Sequence, residues 1–122
     1  MENILPGDIK PEAMKSIRID IESFIELYNS GKAELVDIRM PYEKSVWQFN
    51  FGLQIAGDEL DKHIDSLPKD KIIVVACPHS DRSNMARVYL ASKGFDVKFL
   101  QGGLLGLAER LKGGKAKDIK LA

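Results

Sequence analysis

From Ile72 to Cys77 every position is apolar (IIVVAC). That is the pattern of a parallel strand covered on both faces. Glu34–Ile38 (ELVDI) reads as a second buried strand, and Ile17–Ile19, Leu53–Ile55 and Val97–Leu100 as shorter ones. Helical spacing fills the gaps between them. Asp20 stands where a capping residue belongs, before Phe24, Ile25, Leu27 and Tyr28, and Gly31 ends that helix. Gly57 or Asp58 opens a helix that carries Leu60, Ile64 and Leu67 and closes at Pro68. Ser83–Ser92 forms a third helix with Gly94 beyond its end, and Leu104–Leu111 a last one after the Gly102–Gly103 turn. Strands alternating with helices give an α/β class: a mostly parallel central sheet of about five strands with helices on both faces.

The remaining segments are less periodic. Residues 1–16 hold Pro6, Gly7 and Pro11 and are expected to form an irregular N-terminal arm, with residues 17–122 as the domain proper. Residues 39–52 form a long connection in which Trp47, Phe49 and Phe51 alternate with polar neighbours. The alternation suits a strand-like edge burying one face; the other reading is an exposed apolar rim at the mouth of a site. Met85 and Tyr89, four apart on the third helix, are expected in the core. His63 falls on its helix beside apolar Ile64, at the surface or at the edge of the packing. The Lys-rich tail after Gly113 (GKAKDIKLA) reads as a solvated end or a docking surface.

Composition narrows the function. A chain of 122 residues suits one domain. Lys+Arg and Asp+Glu number 18 each, so no net charge draws nucleic acid or an anionic membrane. The aromatics are not interleaved with basic residues, which speaks against a nucleic-acid partner. The N-terminus has neither a basic stretch nor a long apolar one, so no secretory signal is expected, and no apolar run could span a bilayer. One cysteine permits no internal disulfide, and with two scattered histidines no metal site emerges. The expectation is a cytoplasmic protein without metal or cofactor.

The chemistry gathers at Cys77. In open parallel sheets ligands bind beyond the carboxyl ends of the strands. Cys77 stands at that end of the most apolar strand, followed by Pro78, His79, Ser80, Asp81, Arg82 and Ser83 and then a helix. A short loop entering a helix N-terminus presents backbone N–H groups and partial positive charge, so it forms an anion cradle with a sulfur at its base. Such surroundings favour a thiolate. Arg82 brings a forked cation, His79 a second group that can carry charge, and Asp81 a negative charge that opposes a dianion. Asp37 and Arg39 end the second buried strand, where they can steer substrate or brace the loop; Glu43 is a candidate partner for Arg39.

Taken in order, ELVDIR, GDELDKHIDSLPKDKIIVVAC, the Cys77–Ser83 loop, SNMARVYLASKGF and VKFLQGG resemble the single-domain rhodanese-like sulfurtransferases over roughly residues 17–111. The resemblance implies that Cys77 takes a sulfur from thiosulfate or a persulfide, and that the loop amides up to Ser83 hold the resulting persulfide. The sulfur then passes to a thiol or to cyanide. It implies a small-molecule or protein persulfide donor and a thiol acceptor as partners. Arg82, His79, Ser80, Asp81 and Ser83 would bind substrate, with Asp37 and Arg39 in support. The alternative is a sulfur carrier or partner-binding module without turnover. Cysteine-dependent phosphatases of related fold use a longer Cys-x5-Arg loop, whereas four residues separate Cys77 from Arg82. The chain departs from the family in having Ser80 where Gly is common, no histidine in Gln48–Gly52, and Leu107 where an aromatic often follows the Gly-Gly turn.

Overall fold

The computed structural model describes residues 10–121. Five strands, β1 (Arg18–Ile19), β2 (Ala33–Asp37), β3 (Leu53–Gln54), β4 (Ile72–Ala76) and β5 (Val97–Leu100), form one sheet in the order β1-β5-β4-β2-β3. Every pairing is parallel. β4 lies at the centre, as its unbroken apolar run requires.

The run splits by the two-residue period of a strand. Val74 and Ala76 face one side, where they pack with Leu35, Phe24, Leu104 and Leu107 beneath α2 (Ile21–Asn29) and α5 (Gly103–Leu111). Ile73, Val75 and Cys77 face the other, with Val36, Ile38, Leu60, Ala86 and Leu90 beneath α4 (Asp81–Ser92). Both faces are thus covered, and each half of the core is a separate apolar cluster. α2 is capped as its sequence suggests: the Ser23 N–H donates to Asp20 Oδ1 at 2.7 Å.

Four segments differ from expectation. Pro11–Ser16 is a short helix, α1, with Pro11 in its first turn, where a missing N–H does no harm; residues 1–9 of the expected arm lie outside the described residues. Gly57–Ser66 is helical but with 3-10 winding, and it has no side-chain N-cap. Leu60 and Leu67 are still buried there. The Lys-rich tail is neither frayed nor fully solvated. Gly113–Asp118 forms a 3-10 turn and Ile119 enters the α2/α5 cluster. Asn29 clamps it, its amide N–H donating to the Asp118 carbonyl at 2.8 Å and its Oδ1 accepting from the Lys120 N–H at 2.8 Å. Met85 is 76% exposed rather than in the core. The inward stripe of α4 is Ser83, Ala86, Arg87 and Leu90, and Met85 stands off that stripe.

In the long connection, Pro41–Lys44 forms a single turn, α3. Trp47, Phe49 and Phe51 then turn one face inward while Gln48 and Asn50 stay exposed. Neighbouring rings pack at 5.7 and 4.9 Å between centroids. The alternation therefore buries a face, without strand pairing. No helix among the described residues is long and apolar enough to cross a membrane.

Candidate active site

Cys77 follows β4 directly, and its residue has no exposed surface. The loop after it is short, so the peptides between Cys77 and α4 set the site. Their orientation follows from the start of α5. The first N–H groups of a helix lack intrahelical acceptors. Here the Leu104 N–H donates to the Cys77 carbonyl at 2.8 Å and the Leu105 N–H to that of Pro78 at 3.4 Å. The peptides contain no cis bonds. In a trans peptide the N–H points opposite to the carbonyl. With the Pro78 carbonyl drawn toward α5, the His79 N–H is turned away from α5.

This approach depends on Gly103. Its φ is +64°, and a Cβ there would stand 2.8 Å from the Cys77 carbonyl oxygen and closer still to those of Pro78 and His79. The His79 carbonyl therefore also faces α5, and the Ser80 N–H points the other way. Among the described residues, the N–H groups of His79 through Ser83 donate to no backbone carbonyl. The loop thus has free backbone donors, and Gly103 admits the close approach of α5 to it.

The far end of the loop is tied to α4. Ser83 is fully buried, and its hydroxyl donates to the Ser80 carbonyl at 3.0 Å; the Asn84 N–H donates to the same oxygen at 3.0 Å. Ser80 itself has φ −147°. Its negative φ removes any need for the glycine common at this position. His79 is exposed. The side chain that reaches the sulfur is that of Asp81, whose Oδ1 lies 3.9 Å from Cys77 Sγ. Asp81 stays exposed while its carboxylate faces the sulfur, and no side chain caps α4 at Ser80.

Two ion pairs flank the loop, and Glu43 belongs to a different one from that expected. Arg82 forms a two-pronged pair with Glu43, Nη1 to Oε1 at 2.7 Å and Nη2 to Oε2 at 2.8 Å. Glu43 also accepts from the Met40 N–H at 3.0 Å. These bonds, the Arg82 pair first, lower the Glu43 carboxyl from its ordinary 4.5 to about 2. The Glu43 pair in turn raises Arg82 above its ordinary value. Arg82 therefore stays charged, but its fork is committed to a carboxylate.

Glu43 is accordingly not the partner of Arg39. Arg39 and Asp37 pair with each other, Nη2 to Oδ2 at 2.8 Å, with side chains 2% and 1% exposed. Asp37 Oδ1 also accepts from the Arg39 backbone N–H at 3.0 Å. The guanidinium donates to the Trp47 carbonyl at 3.1 Å and lies 4.4 Å from the Trp47 ring centroid. The aromatic connection is thus pinned to the end of β2. That placement suits bracing; neither residue reaches Cys77 in any bond described. Sequence reasoning missed Trp47 as this clamp and Gly103 as the residue that admits the loop. The Gly-Gly pair was the available signal for the second.

Beside the loop lies an open cleft of about 630 Å³, lined by apolar Ile38, Met40, Leu60, Met85 and Ala86, with Tyr89 and with Arg82 at its loop end. Its wall shares Ile38, Leu60 and Ala86 with the apolar cluster that contains Cys77. Among the described residues, no group of three His, Cys, Asp or Glu side chains is placed to hold a metal ion.

Residues 20–110 match the Rhodanese-like domain family. A sulfurtransferase of Allochromatium vinosum is 33% identical over 92 residues, 74% of this chain and 86% of that protein. A rhodanese-related protein of Thermoplasma volcanium superposes with a TM-score of 0.67 at 26% identity, covering 76% of this chain and 91% of that one. The human single-domain sulfurtransferase TSTD1 shares the fold, with a TM-score of 0.69 at 20% identity over 77% of this chain and 96% of that one.

Proposed function

Because the chain belongs to the rhodanese-like domain family, we propose that it is a sulfurtransferase in which Cys77 carries the sulfur between a donor and an acceptor. The Cys77 thiolate attacks the outer sulfur of the donor. The bond from that sulfur to the rest of the donor breaks, its electron pair leaves with the donor, and Cys77 becomes a persulfide. An acceptor nucleophile, a thiolate or cyanide, then attacks the outer sulfur, and Cys77 leaves as the thiolate. Neither step needs an external oxidant or reductant. The two half-reactions are separate, so ping-pong kinetics follow.

The observation that carries this reading is the position of Cys77 at the base of a loop whose free N–H groups are turned away from α5. Charge-assisted hydrogen bonds to an anion are about twice as strong as neutral ones, so the His79 and Ser80 amides would hold a thiolate or a persulfide anion. Ser83 keeps the loop closed on α4, and Asp37 with Arg39 braces the neighbouring strand end. Arg82 contributes long-range positive charge rather than a direct clamp while it is paired with Glu43. As the chain has one thiol, release of the sulfur relies on an external acceptor, and a reducing compartment such as the cytoplasm would suit it.

Intact mass after incubation with a sulfane-sulfur donor tests the proposal. Wild type should gain the mass of one sulfur, removable by cyanide or dithiothreitol, and Cys77→Ser should gain nothing. Sulfur transfer by Cys77→Ser would overturn it. Steady turnover with donor and acceptor together separates an enzyme from a carrier that loads once.

A further inference from the structure

We propose that the donor is an apolar organic hydropersulfide rather than inorganic thiosulfate: its organic part lies in the cleft beside Arg82, and Asp81 turns dianionic donors away. This rests on the reading of Cys77 as the sulfur acceptor.

Three observations converge. The first is charge at the sulfur. Asp81 Oδ1 is 3.9 Å from Cys77 Sγ, so any donor sulfur in line for attack arrives within a few ångströms of a carboxylate. Thiosulfate brings two negative charges to that point, and its reaction gives the Cys77 persulfide, as its anion, and returns a sulfite dianion that must leave past the same carboxylate. A hydropersulfide reacts without that burden. The thiolate attacks the terminal SH sulfur of R–S–SH and the S–S bond breaks. RS⁻ leaves with the electron pair, and Cys77–S–SH keeps the proton. One negative charge enters and one leaves.

The second is the missing counter-charge. Arg82 is the cation of this loop, and both of its terminal nitrogens are bound to Glu43 at 2.7 and 2.8 Å. It offsets Glu43 before it offsets a substrate. The charged groups that line the cleft are Arg82 itself, Asp58 and Asp61. Together with Asp81 they make the mouth a poor place for a second anion.

The third is shape. The cleft measures about 630 Å³ and its walls are mainly apolar, a size and character suited to an organic molecule of many heavy atoms. Thiosulfate would leave it empty. The cleft lies on the same side of the sheet as the Cys77 side chain, since Ile38, Leu60 and Ala86 belong to the same cluster as Cys77, and Arg82 links it to the loop. Met85, 76% exposed, stands on its rim.

The test compares kcat/KM for thiosulfate and for benzyl hydropersulfide in wild type, Asp81→Asn and Met85→Ser, at low and high salt. Wild type should prefer benzyl hydropersulfide. Asp81→Asn should raise the thiosulfate-to-hydropersulfide ratio by about three- to tenfold at low salt, and less at high salt as screening takes over. Met85→Ser should move the ratio the same way by raising KM for benzyl hydropersulfide by about threefold, the loss of part of one apolar contact. An unchanged or lowered ratio in Asp81→Asn at low salt, or equal effects of Met85→Ser on both donors, would overturn the inference while leaving the sulfur-transfer reading intact. Failure of wild type to accept sulfur from either donor would instead overturn that reading, and this one with it.

Discussion

Replacing Gly103 by alanine probes the contact that shapes the Cys77 loop. Two effects add. With φ at +64°, any Cβ is disfavoured by about 1–2 kcal/mol. The new methyl also meets the carbonyl oxygens of Cys77, Pro78 and His79. All three are backbone atoms, so no rotamer change relieves the clash. Overpacking of this kind costs roughly 1–3 kcal/mol, for a total of roughly 2–5 kcal/mol. Gly94 supplies the control, since its φ is +90° and nothing stands within 4 Å of its would-be Cβ. Gly94→Ala should cost only the backbone part, about 1–2 kcal/mol. The difference between the variants in urea unfolding isolates the loop clash. Function should follow, because moving the loop displaces the His79 and Ser80 amides. Sulfur loading of folded Gly103→Ala should slow by about ten- to a hundredfold, the usual effect of misplacing a reactive geometry, and Gly94→Ala should load at the wild-type rate. Equal stability of the two variants, or wild-type loading by Gly103→Ala, would refute the claim that α5 holds the cradle in shape.

Two further perturbations test the ion pairs. Arg39→Ala leaves Asp37 buried without its partner and should destabilise the protein by about 3–5 kcal/mol in urea unfolding; a loss below about 1 kcal/mol, the value of an exposed pair, would show that the pair is not structural. Glu43 has its pKa lowered from 4.5 to about 2, so its pair with Arg82 adds stability above about pH 4.5 that is lost as pH falls toward 2. Part-exposed pairs are worth at most about 1 kcal/mol. Glu43→Gln should therefore be slightly less stable than wild type at pH 7, and the gap should close on acidification through that window. A gap that is constant across it would sink the assignment.

Much of the molecule follows from local pattern. The IIVVAC run reads as a strand covered on both faces, which places Cys77 at the carboxyl edge of a parallel sheet. Asp20, Gly31 and the Gly102–Gly103 pair mark their boundaries because capping and positive φ are properties of single residues. The Cys77–Ser83 loop was legible for the same reason: its chemistry is contiguous in the chain. Winding was less so. Gly57–Ser66 has two apolar positions, Leu60 and Ile64, compatible with α or 3-10 geometry, and the sequence does not separate the two.

What only tertiary structure decided concerns partners distant in sequence. Glu43 was visible but assigned to Arg39, four residues away; the fold brings it instead to Arg82, 39 residues on, because α3 and the start of α4 meet beside the loop. Asn29 closes on a tail 89 residues later, which turns a Lys-rich end into packed structure. Asp81 read as a loop charge that could equally face solvent, and the short path from β4 to α4 turns it toward the sulfur. Met85 looked like core because spacing by four says that two residues share a face, not which face it is. Periodicity fixes relations within one element. Which acid meets which base, and which side of a helix meets water, depends on how the elements pack.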